Sequence, residues 1–272
     1  MEAGMRESYG PAADRLAAYA TGASAESLAT LADQLLAIAA LLGREPRLRR
    51  ALTDPARGAD DRAELAHNVL GGKVEDEALG LIGELVRPRW SSPGALRDAA
   101  ERLGVDALLA SAERAGELGE VEDELFRFAQ VTDGAPQLAG ALGDAGAPVG
   151  QRAALVGYLL DGKARGVTVA LVRLALAGFG GRSFSASLAR LVELTAEARD
   201  RTVAYVTSAI PLTEDEEARL GGALAQRYGR QVSVRVTVDP EILGGLSVQI
   251  GSDLYDGTVL RRLLEARTAL TK

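Results

Sequence analysis

Apolar positions in this 272-residue chain follow two grammars, a helical one as far as about residue 200 and an alternating one beyond it. In the first part, Leu28, Leu31, Leu35 and Ile38 fall three or four residues apart and make one apolar stripe on a helix. Leu118, Val121, Leu125 and Phe128 repeat the same spacing. Such a seam can close its own bundle or accept a partner helix. After each stripe the pattern predicts a short helix ending near Asp54 or Asp144, a second over 62–70 or 152–160, a Gly-Lys turn, and a third over 79–86 or 169–176. Gly71-Gly72 and Gly162 stand just past the last periodic apolar residue, where a left-handed cap suits a residue without Cβ.

This parallel is an internal duplication. A shift of 90 positions aligns the segment beginning at Pro46 with the one beginning at Pro136, without a gap. Identities fall at Leu48/Leu138, Ala51/Ala141, Leu52/Leu142, Asp54/Asp144, Arg62/Arg152, Ala63/Ala153, Leu65/Leu155, Gly72/Gly162, Lys73/Lys163 and Leu81/Leu171. The stretches RPRWSSPGALRD (87–98) and AGFGGRSFSAS (177–187) break one helix and start the next. Trp90, in the first of these, is expected to cover a bundle end.

From residue 200 the period becomes two. QVSVRVTV places Val232, Val234, Val236 and Val238 on one face of a strand, while TVAYVTSAI (202–210) and LSVQI (246–250) read as two more. Thr213-Glu214-Asp215-Glu216 is a capping box opening a helix that stops at Gly229. Asp256-Gly257 leads into a last helix over 258–270. The expected fold is α+β, mainly α: two tandem, similar helical-bundle modules over 1–104 and 105–199, then a small C-terminal α/β domain with a short sheet over 200–272.

Composition narrows the function. A hydrophobic share of 47% with only 4% aromatic residues suits helix-on-helix cores. The absence of cysteine removes thiol catalysis, disulfides and thiolate metal sites. A net charge of -7 argues against nucleic acid as the main partner. The start, MEAGMRESYG, lacks a signal-peptide core, and the longest apolar run, from Leu35 to Leu42, is far short of the roughly 20 residues of a membrane span. The expectation is a chain that neither leaves the cell nor inserts in a membrane.

Candidate chemistry is thin. GYLLDGKA (157–164) fits GxxxxGK, but Ala164 stands where a phosphate loop needs Ser or Thr for magnesium, the loop is not glycine-rich, and no strand precedes it. Its duplicate, HNVLGGKV, carries His67 in place of the first glycine. His67 is the only histidine, so neither a zinc cluster nor a Cys/His pair can be assembled around it. The acidic runs GEVEDELFRF and TEDEEAR read as first-turn helix acids. We therefore expect no catalytic, cofactor-binding or metal-ligating residues. Gly244-Gly245 reads as a tight turn into a strand, Gly251-Ser252-Asp253 as a hairpin turn and Asp256-Gly257 as a helix cap.

AYVTSAIPLTEDEEARL followed by VSVRVTVDPEILGGLSVQIGSDLYDGTVLRRLLEAR resembles the C-terminal half of the delta subunit of F-type ATP synthases, the bacterial counterpart of the oligomycin-sensitivity-conferring protein. GRSFSASLARLVELTAEARD (181–200) is similar to the segment joining that family's two domains. The doubled helical module departs from the usual single one and resembles extended delta subunits of actinobacterial type. The resemblance implies a non-catalytic stator part without cofactor. It implies helical modules on the alpha subunits of the catalytic head, a C-terminal domain on the b-type stalk, and a place at the cytoplasmic face of the cell membrane through that assembly. It carries over Asp239, Pro240, Gly244, Gly245, Gly251, Asp256 and Gly257 as structural motif residues. The alternative is a free helical-repeat scaffold or regulatory binding protein.

Overall fold

The structure, a computed structural model, describes residues 3–200, 202–228, 232–240, 242–250, 253–259 and 261. The helices are α1 (Ala3–Gly22), α2 (Ala25–Arg44), α3 (Pro46–Leu52), α4 (Ala59–Leu70), α5 (Asp76–Val86), α6 (Pro93–Arg114), α7 (Leu118–Gly134), α8 (Pro136–Gly143), α9 (Val149–Leu160), α10 (Gly166–Ala177) and α11 (Phe184–Asp200), with a 3-10 turn at Phe179–Gly181. Then come β1 (Thr202–Ser208), α12 (Glu214–Tyr228), β2 (Val232–Val238), β3 (Leu246–Ile250) and β4 (Asp253–Asp256). The fold is α+β and mainly α. The chain divides into two compact units, Met1–Thr195 and Ala196–Lys272, with the division inside α11.

Helix starts follow local chemistry. Ser24 accepts the Ser27 N–H at 3.0 Å and opens α2. Ser92 accepts the Ala95 N–H at 3.2 Å and opens α6, with Pro93 in the first turn where its missing N–H has no role. Gly72 and Gly162 take φ of 71° and 65° after α4 and α9, while Gly71 stays at -53°. The left-handed role thus belongs to the second glycine of the pair.

The 90-residue shift maps α2, α3, α4 and α5 onto α7, α8, α9 and α10. It also maps α1 onto α6 and α6 onto α11, so α6 is at once the last helix of the first set and the first helix of the second. Packing agrees, because α6 contacts α1, α2, α3 and α5 of the first set as well as α7, α10 and the 3-10 turn of the second. Both jobs need apolar surface. Leu96, Ala99, Ala100, Leu103, Val105, Ala107, Leu108, Leu109 and Ala112 of α6 are all buried, which wraps apolar residues around most of the helix. Residues 104 and 105, where the two modules were expected to meet, lie midway along it.

The two stripes are their own cores. Leu28, Leu31 and Leu35 are fully buried and Ile38 nearly so, as are Val121 and Leu125 in the copy. Each fully buried leucine adds roughly 1.5–3 kcal/mol over an exposed one. Among the described residues α2 is the one helix long and apolar enough to cross a membrane by length and composition, yet its buried face is spent on α6. At their crossing, a Cβ on Gly104 would stand 2.7 Å from the Leu36 side chain, so the two helices approach as closely as glycine allows.

Duplicated polar pins complete the set. Arg62 Nε donates to Val86 O at 2.8 Å, and its terminal nitrogens reach Arg57 O at 2.6 Å and Arg87 O at 2.5 Å. Arg152 repeats the placement, donating to Leu142 O at 3.1 Å and Leu176 O at 3.3 Å, with its Nε buried and unpaired. In each copy a buried guanidinium satisfies carbonyls left over at helix C-termini, where the helix dipole favours a cation. Gln34 Oε1 accepts the Glu75 N–H at 2.9 Å, and its counterpart Glu124 accepts the Arg165 N–H at 2.8 Å. A side chain of α2 or α7 thereby caps the start of α5 or α10.

In the second unit the strand order is β2-β1-β3-β4, with β1 parallel to β2 through α12 and the other pairs antiparallel. Ala204, Val206, Val248, Ile250 and Leu224 form its core, with Val232, Val234 and Val236 packed against it. Val238, expected on the same buried face, is 43% exposed. β4 was read as a turn and a cap from the sequence, but Val248 pairs with Tyr255 and Ile250 with Asp253. The expected last helix falls almost wholly outside the described residues.

Replacing Arg62 by Met should lower unfolding stability by about 2–4 kcal/mol, since several buried carbonyls lose a charged donor. Arg152→Met should cost less, because Arg152 makes fewer such bonds and already leaves one nitrogen unpaired. Urea unfolding of the full chain checks the order.

Candidate docking surfaces

The two lysines of the phosphate-loop-like segments bond within their own helices. Lys163 ends in a turn after α9, where its Nζ donates to Leu159 O at 3.4 Å, and Lys73 donates in the same way to Val69 O at 2.8 Å. The two lysines thus cap the C-termini of their own helices, as cations do at a dipole's negative end. His67 is exposed on α4. Trp90 is half-buried and donates its indole N–H to Leu85 O at 2.7 Å, at the end of α5.

The acids of TEDEEAR form the capping box that their spacing predicts. Thr213 donates through its N–H and its hydroxyl to Glu216 Oε2, both at 2.8 Å, and the Glu216 N–H returns to Thr213 Oγ1 at 3.3 Å. These bonds, the backbone one foremost, hold the Glu216 carboxyl below its ordinary pKa. Because the folded value is the lower one, this small stabilisation is present above the usual carboxylate range and is lost on acidification.

The motif residues of the C-terminal unit converge on backbone contacts. Asp239 N–H donates to Ser208 O at 2.9 Å and extends the β1–β2 ladder by one bond, and Pro240 follows on the surface. Gly244 and Gly245 take φ of 133° and 83°. The segment 257–259 lies against them, with the Gly257 N–H donating to Leu246 O at 3.0 Å and the Val259 N–H to Gly244 O at 2.9 Å. A Cβ on Gly245 would stand 2.5 Å from Gly257 O, and one on Gly257 would meet Leu246 O at 3.0 Å. These glycines allow main chain to lie on main chain. Asp256 ends β4 and accepts the Thr258 N–H at 3.0 Å, which with the Thr258 hydroxyl holds its carboxyl below the ordinary value. Thr258 in turn accepts the Arg261 N–H at 3.4 Å, so the capping position belongs to Thr258. Gly251 lies outside the described residues.

Of the ten large apolar side chains that are exposed among the described residues, six belong to this small unit: Ile210, Val238, Leu243, Leu254, Tyr255 and Val259. Four of them share one end of the sheet. Ile210 follows β1, Val238 ends β2, and Leu243 and Val259 flank the Gly244 contact. Leu243 is 73% and Ile210 68% exposed. An apolar group of this kind on a 77-residue unit is the sort of surface that a partner covers. Leu254 and Tyr255 lie on the edge strand, where the Arg227 guanidinium stands 4.9 Å from the Tyr255 ring.

The sequence reading did not single out this apolar end. Its members are separated by up to 49 residues and come together only through the parallel β1–β2 register and the Gly244–Val259 bond. It also missed the carbonyl-pinning role of Arg62 and Arg152, for which their retention across the duplication was the available signal.

Gly245→Val should raise the hydrogen-exchange rates of the Gly257 and Val259 amides by about ten-fold or more, since positive φ and backbone overlap together are worth a few kcal/mol. The helices of the first unit should keep their rates. Amide exchange on the full chain measures both.

Residues 105–270 match the family model described as ATP synthase delta (OSCP) subunit. The protein named ATP synthase subunit delta from Salinispora arenicola is 63% identical over 267 residues, covering 98% of this chain and 97% of its own. Those of the same name from Streptomyces griseus and Beutenbergia cavernae are 44% identical, over 266 residues (98% of each chain) and 270 residues (99% of each chain) respectively. Matched by that model over more than half of its length, and by such relatives almost end to end, the chain belongs to the ATP synthase delta (OSCP) subunit family.

Proposed function

We propose that this chain is a peripheral-stalk part of a proton-translocating ATP synthase that ties the catalytic head to the b-type stalk and resists rotor torque. As a member of its family it is a non-catalytic subunit, and the absence of cysteine with the capped, helix-terminal lysines fits a part that works by holding. The helical unit faces the alpha subunits of the head. The family match begins within α6 and runs to residue 270, so the second helical set together with the sheet unit corresponds to the family's usual body. We assign the head contact to that second set. The complex is membrane-associated, and the chain sits at its cytoplasmic face.

The observation that carries the stalk assignment is the apolar end of the sheet. Ile210, Val238, Leu243 and Val259 offer a row of anchors for the apolar side of an amphipathic stalk helix. Two modest contacts on one chain then reinforce each other, because either one raises the effective concentration of the other. Asp239 holds the end of β2 in the ladder, and Gly244, Gly245, Asp256 and Gly257 keep the loop and the 257–259 segment together, so the anchors keep fixed positions.

The test is a pair of surface variants, Leu243→Asp and Ile210→Asp, in binding titrations of the full chain with the soluble part of the b-type subunit. Each should weaken binding by about ten-fold or more, as expected for a charge placed at an apolar anchor, and leave the helical content unchanged. Binding unaffected by both would move the stalk contact elsewhere. No binding by the unaltered chain would favour a free helical scaffold.

A further inference from the structure

The turn between α3 and α4 and the junction before α6 border an open concavity of about 520 Å³, lined among others by Arg50, Asp54, Arg57, Trp90, Ser91 and Ser92. Between residues 44 and 57 the chain carries five arginines against two carboxylates, in a protein whose net charge is -7. Arg49 is committed to the fold, donating to Leu42 O at 2.5 Å. Arg57 lies 3.9 Å from Asp54, a carboxylate already accepting the Ala56 N–H at 2.9 Å. The exposed side chains of Arg44, Arg47 and Arg50 have no ion-pair or hydrogen-bond partner among the described residues. Glu45, also exposed, is the one other acid in this stretch.

The duplication supplies a control for what these residues are for. Ninety positions on, Arg44, Arg47, Arg50 and Arg57 become Gly134, Gln137, Gly140 and Ala147, and Trp90 becomes Gly180. The second set forms the same short helix and the same turn, in which Asp144 accepts the Gly146 N–H at 2.8 Å as Asp54 accepts that of Ala56. Neither the helix nor the turn therefore requires the arginines. Arginines without a counterpart in the second set, two of which, Arg50 and Arg57, line the concavity, suit an anionic ligand.

We propose that this corner binds an acidic peptide segment of a partner protein, one in which carboxylates flank an apolar or aromatic side chain. Arg50 and Arg57 receive the carboxylates, for which a planar guanidinium fork is suited, and the exposed Arg44 and Arg47 add positive charge nearby in the chain. The flanked side chain rests on Trp90, whose indole N–H is occupied by Leu85 O and whose ring is left to the pocket beside Pro55. A membrane or a nucleic-acid duplex draws its affinity from a broad basic face, whereas here two arginines, Arg50 and Arg57, line a concavity that also holds Asp54 and Trp90. The pocket and its mixed lining favour a peptide. This surface is separate from the stalk and head contacts assigned above and stands or falls without them.

Trp90 is the only tryptophan, so its emission reports on the pocket directly. The full chain would be titrated with a synthetic peptide in which two glutamates stand on each side of one phenylalanine. Lysine-for-glutamate peptide, inorganic phosphate and vesicles of anionic phospholipid would be run in parallel. The expected result is a saturable change in Trp90 emission with the glutamate peptide alone. The dissociation constant should rise about ten-fold or more in the Arg50→Ala, Arg57→Ala double variant, the loss expected for two charge-assisted contacts. Unchanged circular dichroism would show that the variant is folded. No response to the peptide, an equal response in the double variant, or a response to vesicles or phosphate without one to the peptide would overturn the proposal.

Discussion

Everything in the helical unit depends on α6 being apolar almost all the way round. A surface helix needs one apolar stripe, and a helix that closes one bundle needs little more. This helix must bury Leu96, Ala100 and Leu103 within a body in which it meets α2 along one set and α7 and α10 along the other. Gly104 then permits the closest approach, to Leu36. The consequence is mechanical: no linker separates the two helical sets, because a helix belonging to both is the joint. A load on the second set is carried into the first through a packed core.

The paired arginines show how the duplicated plan is kept and relaxed. Arg62 and Arg152 occupy equivalent positions and reach equivalent carbonyls, Val86 O and Leu176 O. Around Arg62 the bonds are numerous and short, while around Arg152 one nitrogen is left over. The capping side chain has changed from Gln34 to Glu124, which also accepts the Thr168 hydroxyl at 2.6 Å. The cores have kept the plan, whereas the five arginines at the α3 corner all have uncharged counterparts in the second set. A difference in charge at an exposed corner is what different partners for the two sets would produce.

The sequence exposed the parts that depend on local periodicity. The stripes at Leu28 and Leu118, the glycines past α4 and α9 and the box at Thr213 each sit within one turn of the features that announce them. It did not expose α6 as a shared helix, because burial on several sides removes the very asymmetry by which a helix is recognised. β4 was hidden for a different reason. Four residues, with Leu254 62% and Tyr255 36% exposed, are too short a run to leave an alternation to read. Gly244 and Gly245 were legible as a tight turn into a strand, but the backbone they lie against, the segment 257–259, was set only by the hydrogen bonds from Gly257 and Val259. The apolar end of the sheet depends on those long-range bonds and was invisible without them.

Holding the head against the rotor is the central claim, and it requires the chain to be found with both things that it joins. The most direct measurement is affinity purification of the tagged full chain from gently solubilised membranes of its native cell, followed by identification of the recovered subunits. The account predicts alpha, beta and b-type synthase subunits in the recovered complex. Recovery of the chain by itself, or with unrelated soluble proteins, would contradict it.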